Sequence, residues 1–316
     1  MNLLIAIPCL NDAETIADVI KRIPLVIVGI NQISVLVVDD GSTDNTSQVA
    51  RENGAFVIRH SINRGVGTAF NTAVNYAIEN RFDIMVNLDG DGQFSSEDIP
   101  KIAYPIINNE ADFVTASRFK DKAFIPVMPR IKLYGNYMMS MLISRLTRIK
   151  FHDVSCGFRA YSRETLLQMN LHGFFTYTQE TFLDLVSKRM RIVEIPVHVQ
   201  YFQERKSRVA SSILRYAYNT LQIITRVYRD YFPFKFFMFI ATFFYIIALF
   251  FGTIFFLNYF HTGKFSGFLF AGFLSAFFFV GAFGFSFAAI VMDMLVRIRV
   301  NQERIIYHQK KNQSGR

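Results

Sequence analysis

Val86-Asn87-Leu88-Asp89-Gly90-Asp91-Gly92-Gln93 is an apolar strand that leads directly into two carboxylates one residue apart. Carboxylate and amide oxygens at the end of a strand form a hard site that suits Mg²⁺ or Mn²⁺ and can hold a diphosphate. We therefore predict that Asp89, Asp91 and Gln93 form a cation site. The expected substrate at such a site carries a nucleoside diphosphate.

Around this stretch, short β-branched runs alternate with helix-like segments. The strand candidates are 3–8, 35–39, 55–59, 84–89 and 113–117, and the helix candidates between them are 14–22, 46–52 and 67–79. This alternation is typical of a mostly parallel α/β sheet, whose ligands bind at the carboxyl ends of the strands. The polar segments 8–12, 39–44 and 89–93 each follow a strand, so we expect them to line one crevice.

The second polar segment, Asp39-Asp40-Gly41-Ser42-Thr43-Asp44, combines acids with a turn. Gly41 suits a tight turn, and Ser42 or Asp44 can cap the following helix. Asp39 could accept a hydrogen bond from the N–H edge of a uracil or guanine base. Alternatively, the run serves only as a turn and a cap. Because the Asp89 and Asp91 motif is expected to line the same crevice, a binding role is favoured.

The composition indicates membrane segments. The chain has 316 residues, a net charge of +9, and 35 phenylalanines but no tryptophan. Two stretches, about 236–257 and 268–292, contain no charge over the roughly 20 residues that a helix needs to cross a bilayer. Helices buried in a protein core rarely stay apolar on every face for that length. We therefore predict two transmembrane helices within residues 234–296.

The flanking charges predict an orientation. Basic residues precede the first span and follow the second, in the tail 297–316, whereas the connecting loop has only His261 and Lys264. The positive-inside rule then places both termini in the cytoplasm, with the protein in the inner membrane. Cys9 and Cys156 are the only cysteines and form no metal or disulfide pattern, which suits a reducing compartment.

Five segments, taken in order, carry a family resemblance. They are 7–12, 37–44, 88–93, 116–118 and 154–159. Together they resemble the family 2 glycosyltransferases, and most of all the branch of dolichol-phosphate mannosyltransferases and bactoprenol glucosyltransferases. The resemblance implies a cytoplasmic GT-A domain over residues 1–210, a divalent cation (Mg²⁺ or Mn²⁺), a nucleotide-sugar donor and a polyisoprenyl-phosphate acceptor such as undecaprenyl phosphate. The implied reaction is inverting transfer of a hexose at the cytoplasmic membrane face.

The resemblance also assigns individual residues. The positions that match donor-binding residues of the family are Pro8, Leu10, Asp12, Val37, Asp39, Asp40, Asp89, Gly90, Asp91 and Gln93. The positions that match the reacting centre or the acceptor phosphate are Asp91, Arg118, Ser155, Arg159 and Glu180. Asp12 stands where the family more usually has Glu, which shortens the reach of this acid by one methylene.

Two of the assignments have alternatives. Arg205, Ser207 and Arg208 match a basic loop that could cover the donor phosphates, but the family's glycine is missing from this loop. The same residues could form a polybasic segment at the membrane surface. Glu180 could orient the acceptor, or it could be a helix-start acid that complements the helix dipole.

Basic and apolar residues are mixed in two further segments, 130–150 and the juxtamembrane segment 211–233. Both are predicted to be amphipathic helices. They could lie at the anionic face of the membrane, or they could pack on the domain core with basic outer faces. An interfacial position would hold the site at the level of lipid headgroups.

Competing functions remain. A processive polysaccharide synthase would normally carry a Gln-x-x-Arg-Trp motif and more spans, and this chain has no tryptophan. Two alternatives stay open: a membrane glycosyltransferase with another acceptor, and a non-catalytic membrane component that binds nucleotide sugar. We expect no nucleic-acid partner, and the sequence allows a homo-oligomer.

Overall fold

The computed structural model describes residues 1–170, 177–200, 222, 225–226 and 228–315. Its strands are β1 (Asn2–Cys9), β2 (Gln32–Asp39), β3 (Phe56–Arg59), β4 (Ile84–Asn87), β5 (Phe113–Ser117), β6 (Arg159–Ser162) and β7 (Ile192–Pro196). They form a seven-stranded sheet in the order β3-β2-β1-β4-β6-β5-β7. The first five strands agree with the predicted runs to within a few residues, whereas β6 and β7 were not predicted.

The sheet is mostly parallel, as predicted. β1 pairs in parallel with both β2 and β4, and β5 pairs in parallel with β7. β6 runs antiparallel to β4 and β5, between which it lies. The chain leaves β1 towards β2 on one side and returns to β4 on the other, so the carboxyl ends of these strands flank a topological switch point. Ligand crevices of α/β sheets open at such points.

The helices of this α/β domain are α1 (Ile16–Lys21), α2 (Thr46–Glu52), α3 (Val66–Glu79), α4 (Ile99–Ile107), α5 (Arg130–Thr147), α6 (Arg163–Gln168) and α7 (Tyr177–Ser187). The central strand β1 is apolar on both faces: Leu3, Ile5 and Ile7 are fully buried on one, and Leu4 and Ala6 on the other. Burial on both faces is expected for a parallel strand that has helices on each side. The rigid core therefore lies directly behind the strand ends that carry the polar segments.

Helix α5 is amphipathic, as predicted for 130–150. Met139 and Ile143 are buried on one side, while Tyr134, Met138 and Met141 are exposed on another. The spacing of these three exposed residues places them on one face of the helix. Helix α5 therefore packs on the domain and also presents apolar side chains outward, and its position at a membrane stays a prediction. The second predicted amphipathic segment lies mostly outside the described residues.

Two long apolar helices follow, α8 (Pro233–Thr262) and α9 (Leu269–Gly315). Both are long and apolar enough to cross a membrane. The chain divides into two compact units, residues 1–216 with 304–316 and residues 217–303. Within the second unit, the hydroxyl of Ser275 donates a hydrogen bond to the carbonyl of Ala248 (2.8 Å), which links α9 to α8.

Helix α9 extends past the predicted end of the second span and through the basic tail. The sequence has no proline or glycine between Met292 and Gly315. Ion pairs one turn apart, such as Asp293 with Arg297 (3.1 Å), lie on the exposed surface of this extension. Without a residue that breaks the helix, the tail continues as helix.

Candidate active site

The loops that follow β1 and β2 are joined by hydrogen bonds. The main-chain N–H of Asn11 donates to Ser42 Oγ (2.9 Å), and Asn11 Oδ1 accepts from the N–H of Thr43 (2.8 Å). The N–H of Asp12 donates to Thr46 Oγ1 (2.9 Å). These contacts cross more than thirty residues of sequence. They hold two of the predicted polar segments together at one edge of the sheet.

Asp39 ends β2 and is fully buried. Its carboxylate accepts hydrogen bonds from the N–H of Ser42 (2.8 Å) and from the hydroxyl of Ser47. Burial raises the pKa of Asp39, but the hydrogen bonds from Ser42 and Ser47 outweigh this effect and the net pKa is lowered. Asp39 is therefore held as an anion that also caps the following turn. The two roles offered for this segment, turn and binding, are compatible.

The carboxylate of Asp40 contacts the loop that precedes α3. Its oxygens accept hydrogen bonds from the N–H groups of Arg64 (3.0 Å) and Gly65 (2.7 Å), and Oδ1 contacts His60 Nδ1 (2.7 Å). Arg64 and Gly65 immediately precede α3. The observed role of Asp40 is thus to hold the start of this helix.

Gly41 occupies the tight turn that the sequence predicted. Its φ is +80°, and a Cβ atom there would lie 2.6 Å from the carbonyl carbon of Ile62 and 2.7 Å from the nitrogen of Asn63. Both atoms are main chain and cannot rotate away. Only glycine fits this position, and the shape of the Asp39–Asp44 loop depends on it.

Four acids converge on the crevice. Burial raises the pKa of the Cys9 thiol well above its usual value, and the charges of Asp12, Asp39, Asp89 and Asp91 raise it further. A Cβ atom on Gly90 would lie 2.5 Å from Cys9 Sγ and 3.3 Å from Asp12 Oδ2, so the Asp89–Asp91 turn packs directly against the end of β1. The hydroxyl of Thr15 also donates to the carbonyl of Gly90 (2.7 Å), which links the first and third polar segments. The prediction that these segments meet is confirmed.

The turn after β4 presents Asp89 and Asp91. Asp91 Oδ1 accepts a hydrogen bond from the N–H of Gln93 (3.0 Å), which fixes the turn. Burial, followed by the charge of Asp91, raises the pKa of Asp89 to about 7, although Arg118 and Arg159 oppose this rise. The anionic form of Asp89 is thus disfavoured by its surroundings. A bound cation would reverse that preference.

These residues fit the predicted cation. Their donor atoms are carboxylate and amide oxygens, the ligands that Mg²⁺ and Mn²⁺ prefer. In the part of the chain that the structure describes, no group of three or more His, Cys, Asp or Glu side chains could hold a metal ion. A cation at Asp89, Asp91 and Gln93 would therefore need oxygens from a diphosphate or from water, which is the usual arrangement for Mg²⁺.

Gly157, which precedes β6, lies against Asp89. A Cβ atom on Gly157 would lie 2.7 Å from Asp89 Oδ2 and 2.9 Å from Oδ1. Asn87 fixes this approach, because its Nδ2 donates to the carbonyl of Gly157 (2.9 Å). A side chain at this position would displace the Asp89 carboxylate, so the position of that carboxylate depends on Gly157.

Arg118 follows β5 and is held by Asp153. Arg118 Nε donates to Asp153 Oδ2 (2.7 Å) and Nη2 donates to Oδ1 (2.9 Å), so the pair is bidentate. The same Nη2 donates to Ser155 Oγ (2.9 Å), which in turn donates to Asn136 Oδ1 of α5 (2.9 Å). Burial raises the pKa of Asp153, but the Arg118 guanidinium outweighs burial and the net pKa is lowered. Arg118 and Ser155 are thus brought together, as the resemblance implied.

Arg159 begins β6 and has no exposed surface. Its guanidinium lies over the rings of Phe113 (5.7 Å) and Phe182 (5.0 Å), and Nη2 donates to the carbonyl of Val154 (3.1 Å). Its charge reaches Asp89, whose pKa it lowers. The structure places Arg159 inside the protein behind Asp89.

The remaining assigned residues are placed as follows. Pro8 and Val37 are buried within β1 and β2, and Leu10 follows β1 with its N–H donating to Asp12 Oδ2 (3.1 Å). Glu180 lies in the first turn of α7, where an acid complements the helix dipole. Arg205, Ser207 and Arg208 lie outside the described residues, so their assignment stays a prediction.

Four residues that hold the predicted residues in place were given no role by sequence reasoning: Asn87 and Gly157, which lie within the quoted motifs, and Asn136 and Asp153, which lie outside them. One signal was available for Asp153. A buried arginine needs an acid partner, and Asp153 stands two residues before Ser155, just outside the motif that contains it.

A family model decides the classification. The model described as glycosyl transferase family 2 matches residues 4–168, which span β1 to α6 and include every site element described above except α7. The chain belongs to glycosyl transferase family 2. It is a glycosyltransferase, as its motifs predicted.

Two relatives of this family 2 chain have informative names. A UDP-N-acetylglucosamine–dolichyl-phosphate N-acetylglucosaminyltransferase of Methanococcus voltae is 29% identical over 223 residues, which cover 64% of this chain and 87% of the relative. A polyprenol monophosphomannose synthase of Mycolicibacterium smegmatis is 25% identical over 227 residues, with 68% and 83% covered. These names support the polyisoprenyl-phosphate branch indicated by the motifs.

A solved structure is similar in fold. Glucosyl-3-phosphoglycerate synthase from Mycobacterium tuberculosis, in complex with Mn²⁺, uridine diphosphate and glucosyl-3-phosphoglycerate, has a TM-score of 0.53 at 22% identity. The match covers 71% of this chain and 79% of that one. The likeness confirms the predicted GT-A fold.

Proposed function

We propose that this family 2 enzyme transfers a hexose from a nucleotide-diphosphate sugar to a polyisoprenyl phosphate, at the cytoplasmic face of a membrane. One observation carries the proposal. Segment 155–157 joins the Asp89–Asp91 turn, suited to a donor diphosphate and its cation, to Arg118. Ser155 Oγ accepts from Arg118 Nη2 (2.9 Å), and a Cβ atom on Gly157 would lie 2.7 Å from Asp89 Oδ2. A site for a leaving diphosphate therefore adjoins an arginine and a serine that suit a phosphate nucleophile.

Donor binding would use the joined loops. Asp39, at the end of β2, would accept a hydrogen bond from the base, and Asp12 would lie beside the ribose or the diphosphate. Asp89, Asp91 and Gln93 would hold Mg²⁺ or Mn²⁺ together with the diphosphate. When bound, the cation would neutralise the charge that builds on the leaving nucleoside diphosphate. Arg159, inside the protein, would lower the pKa of Asp89 and so favour its ionised form.

Acceptor activation needs little from the protein. A phosphate monoester has its second pKa near 6, so at neutral pH it already carries a reactive oxyanion. Arg118 and Ser155 would bind that phosphate and aim one oxygen at the anomeric carbon. The bond between this phosphate oxygen and the anomeric carbon would form as the bond from that carbon to the leaving diphosphate oxygen breaks on the opposite face. A single displacement of this kind inverts the anomeric configuration.

The two long apolar helices would attach the enzyme to the membrane. Helices α8 and α9 are apolar over a bilayer's thickness, and the polyisoprenyl tail of the acceptor lies in that bilayer. The exposed apolar face of α5, at Tyr134, Met138 and Met141, would lie among the lipid headgroups. Basic flanks on both spans support cytoplasmic termini. An enzyme attached in this way would share the membrane that holds its lipid acceptor.

The test is transfer of radiolabelled sugar from a panel of UDP- and GDP-sugars to undecaprenyl phosphate, in detergent, with Mg²⁺ or Mn²⁺. Label should enter the lipid phase from one donor and disappear with a chelator. Asp91→Asn should abolish transfer, while the exposed Asp18→Asn variant, with the same chemical change, should keep it.

Lipid labelling that survives Asp91→Asn would refute the catalytic assignment of the turn. Donor hydrolysis or transfer to a soluble acceptor, without lipid labelling, would refute the acceptor. Donor binding without any turnover would support a non-catalytic component instead.

A further inference from the structure

Glu194 of β7 is a buried acid that the proposed reaction does not use. It pairs across the sheet with Thr115 of β5, three residues before Arg118. Its side chain therefore lies near the end of the strand that delivers Arg118 to the site. Burying a carboxylate carries a desolvation cost, which hydrogen bonds must offset.

The hydrogen bonds described for the Glu194 carboxylate connect it to the loop that contains His152 and Asp153. Oε1 accepts from the main-chain N–H groups of His152 (2.9 Å) and Asp153 (3.0 Å). Oε2 contacts Nδ1 of the same histidine (2.7 Å). A carboxylate that accepts from two successive main-chain N–H groups fixes the position and direction of the backbone there. The backbone that Glu194 fixes is that of Asp153.

The Asp153 carboxylate in turn holds Arg118 and Ser155 by hydrogen bonds. Besides the bidentate pair described above, Asp153 Oδ2 accepts from the main-chain N–H of Arg118 (3.1 Å), and Oδ1 accepts from the N–H of Ser155 (3.1 Å). One buried carboxylate thus contacts both groups that would bind the acceptor phosphate. A shift of its backbone would move the guanidinium and the hydroxyl together.

We propose that Glu194 is a positioning residue for acceptor binding: it holds the His152–Asp153 backbone, and through Asp153 it sets the guanidinium of Arg118. The inference rests on the proposed function, in which Arg118 contacts the acceptor phosphate. A purely structural role is the competing explanation, because an apolar residue at this position of β7 would leave the N–H groups of His152 and Asp153 without this acceptor.

The first measurement compares Glu194→Ala with the native full-length enzyme and with the exposed Glu79→Ala variant, a matched control on α3. Glu194→Ala should raise KM for the polyisoprenyl phosphate by ~10-fold while KM for the nucleotide sugar stays unchanged. Glu79→Ala should change neither. Glu194→Gln keeps one oxygen as an acceptor for the two N–H groups and should recover most of the lost affinity.

A double-mutant cycle separates positioning from general destabilisation. If Glu194 acts through Arg118, Glu194→Ala should add little to the acceptor KM in an Arg118→Ala background. If Glu194→Ala does not fold, Glu194→Asp replaces it. This variant keeps the charge but withdraws the oxygens by one methylene, and the same acceptor defect is expected.

Two results would overturn the positioning role: an unchanged acceptor KM in a folded Glu194→Ala or Glu194→Asp variant, or a defect that adds fully to that of Arg118→Ala. An unchanged acceptor KM in Arg118→Ala itself would instead refute the placement of Arg118 at the acceptor, and thus the proposed function. The single Arg118 variant therefore tells the two failures apart.

Discussion

Replacing Gly157 with alanine tests whether the site depends on the close approach of this residue to Asp89. The added Cβ would lie 2.7 Å from Asp89 Oδ2 and 2.9 Å from Oδ1. The obstructing atoms are the end of a side chain, so the carboxylate can rotate away while the backbone stays in place. We expect the fold to tolerate the change and the site to lose its geometry.

The distances set the size of the effect. To reach an ordinary contact distance of about 3.4 Å, the carboxylate must retreat by about 0.7 Å. Catalytic groups tolerate displacements of about 0.5 Å, and 1 Å can cost about 100-fold in rate. The expected loss in kcat/KM for the donor is therefore about 10- to 100-fold, or about 1.4 to 2.7 kcal/mol of transition-state stabilisation. Overpacking should cost about 1 to 3 kcal/mol of the free energy of unfolding.

The assay is sugar transfer measured as a function of Mn²⁺ concentration, beside thermal unfolding of the same preparations. Gly157→Ala should need more Mn²⁺ for half-maximal rate, because one of the expected ligands has moved. Gly284→Ala is the control, since a Cβ there meets no atom within 4 Å. A folded Gly157→Ala enzyme with native kcat/KM and native Mn²⁺ dependence would refute the argument that Gly157 sets the position of Asp89.

Three further outcomes are expected. Gly41→Ala should destabilise the protein by about 2 kcal/mol or more in urea unfolding. Gly54→Ala, which has a similar positive φ but open space around its Cβ, should cost clearly less, and equal losses would contradict the steric argument. Asp153→Asn leaves Arg118 without its buried partner and should cost roughly 3 kcal/mol at neutral pH. Because the folded pKa of Asp153 is lowered, this difference should be complete above the unfolded pKa of about 4 and should vanish as pH falls through the folded pKa, which melting curves across acidic pH can show. Asp40→Asn should lower the melting temperature without raising KM for the donor, and a raised donor KM with native stability would contradict its role at α3.

The polar strand ends were predictable because their signals are local. An apolar run followed by acids and glycines, as at Val86–Gln93, indicates both a strand and the turn that ends it. Gly41 and Asp39 were found in the same way. The shared edge followed from the rule for parallel sheets, which the order of β1, β2 and β4 confirms.

The supporting residues were not predictable because their contacts are distant in sequence. Asp153 meets Arg118 across 35 residues, and Glu194 meets Asp153 across 41. Hydrophobic periodicity in the sequence gives no signal for pairs so far apart. Strand β6 is only four residues long, and its first residue, Arg159, is charged and yet fully buried. Its pattern therefore resembles a surface segment more than an interior strand.

Because β6 runs antiparallel to β5, the segment between these two strands can be replaced without altering the rest of the sheet. The segment between β5 and β6 leaves the sheet after Ser117 and returns at Arg159, and its ends are tied by the hydrogen bond from the N–H of Ala116 to the carbonyl of Phe158 (2.9 Å). The segment therefore leaves the carboxyl end of β5 and enters the adjacent start of β6 at the same end of the strands. Such a segment can be exchanged as a cassette between relatives while β1 to β4 stay intact. On the proposed function, chimeras that exchange residues 118–155, and so retain Gly157 beside Asp89, are expected to alter acceptor preference and keep the donor.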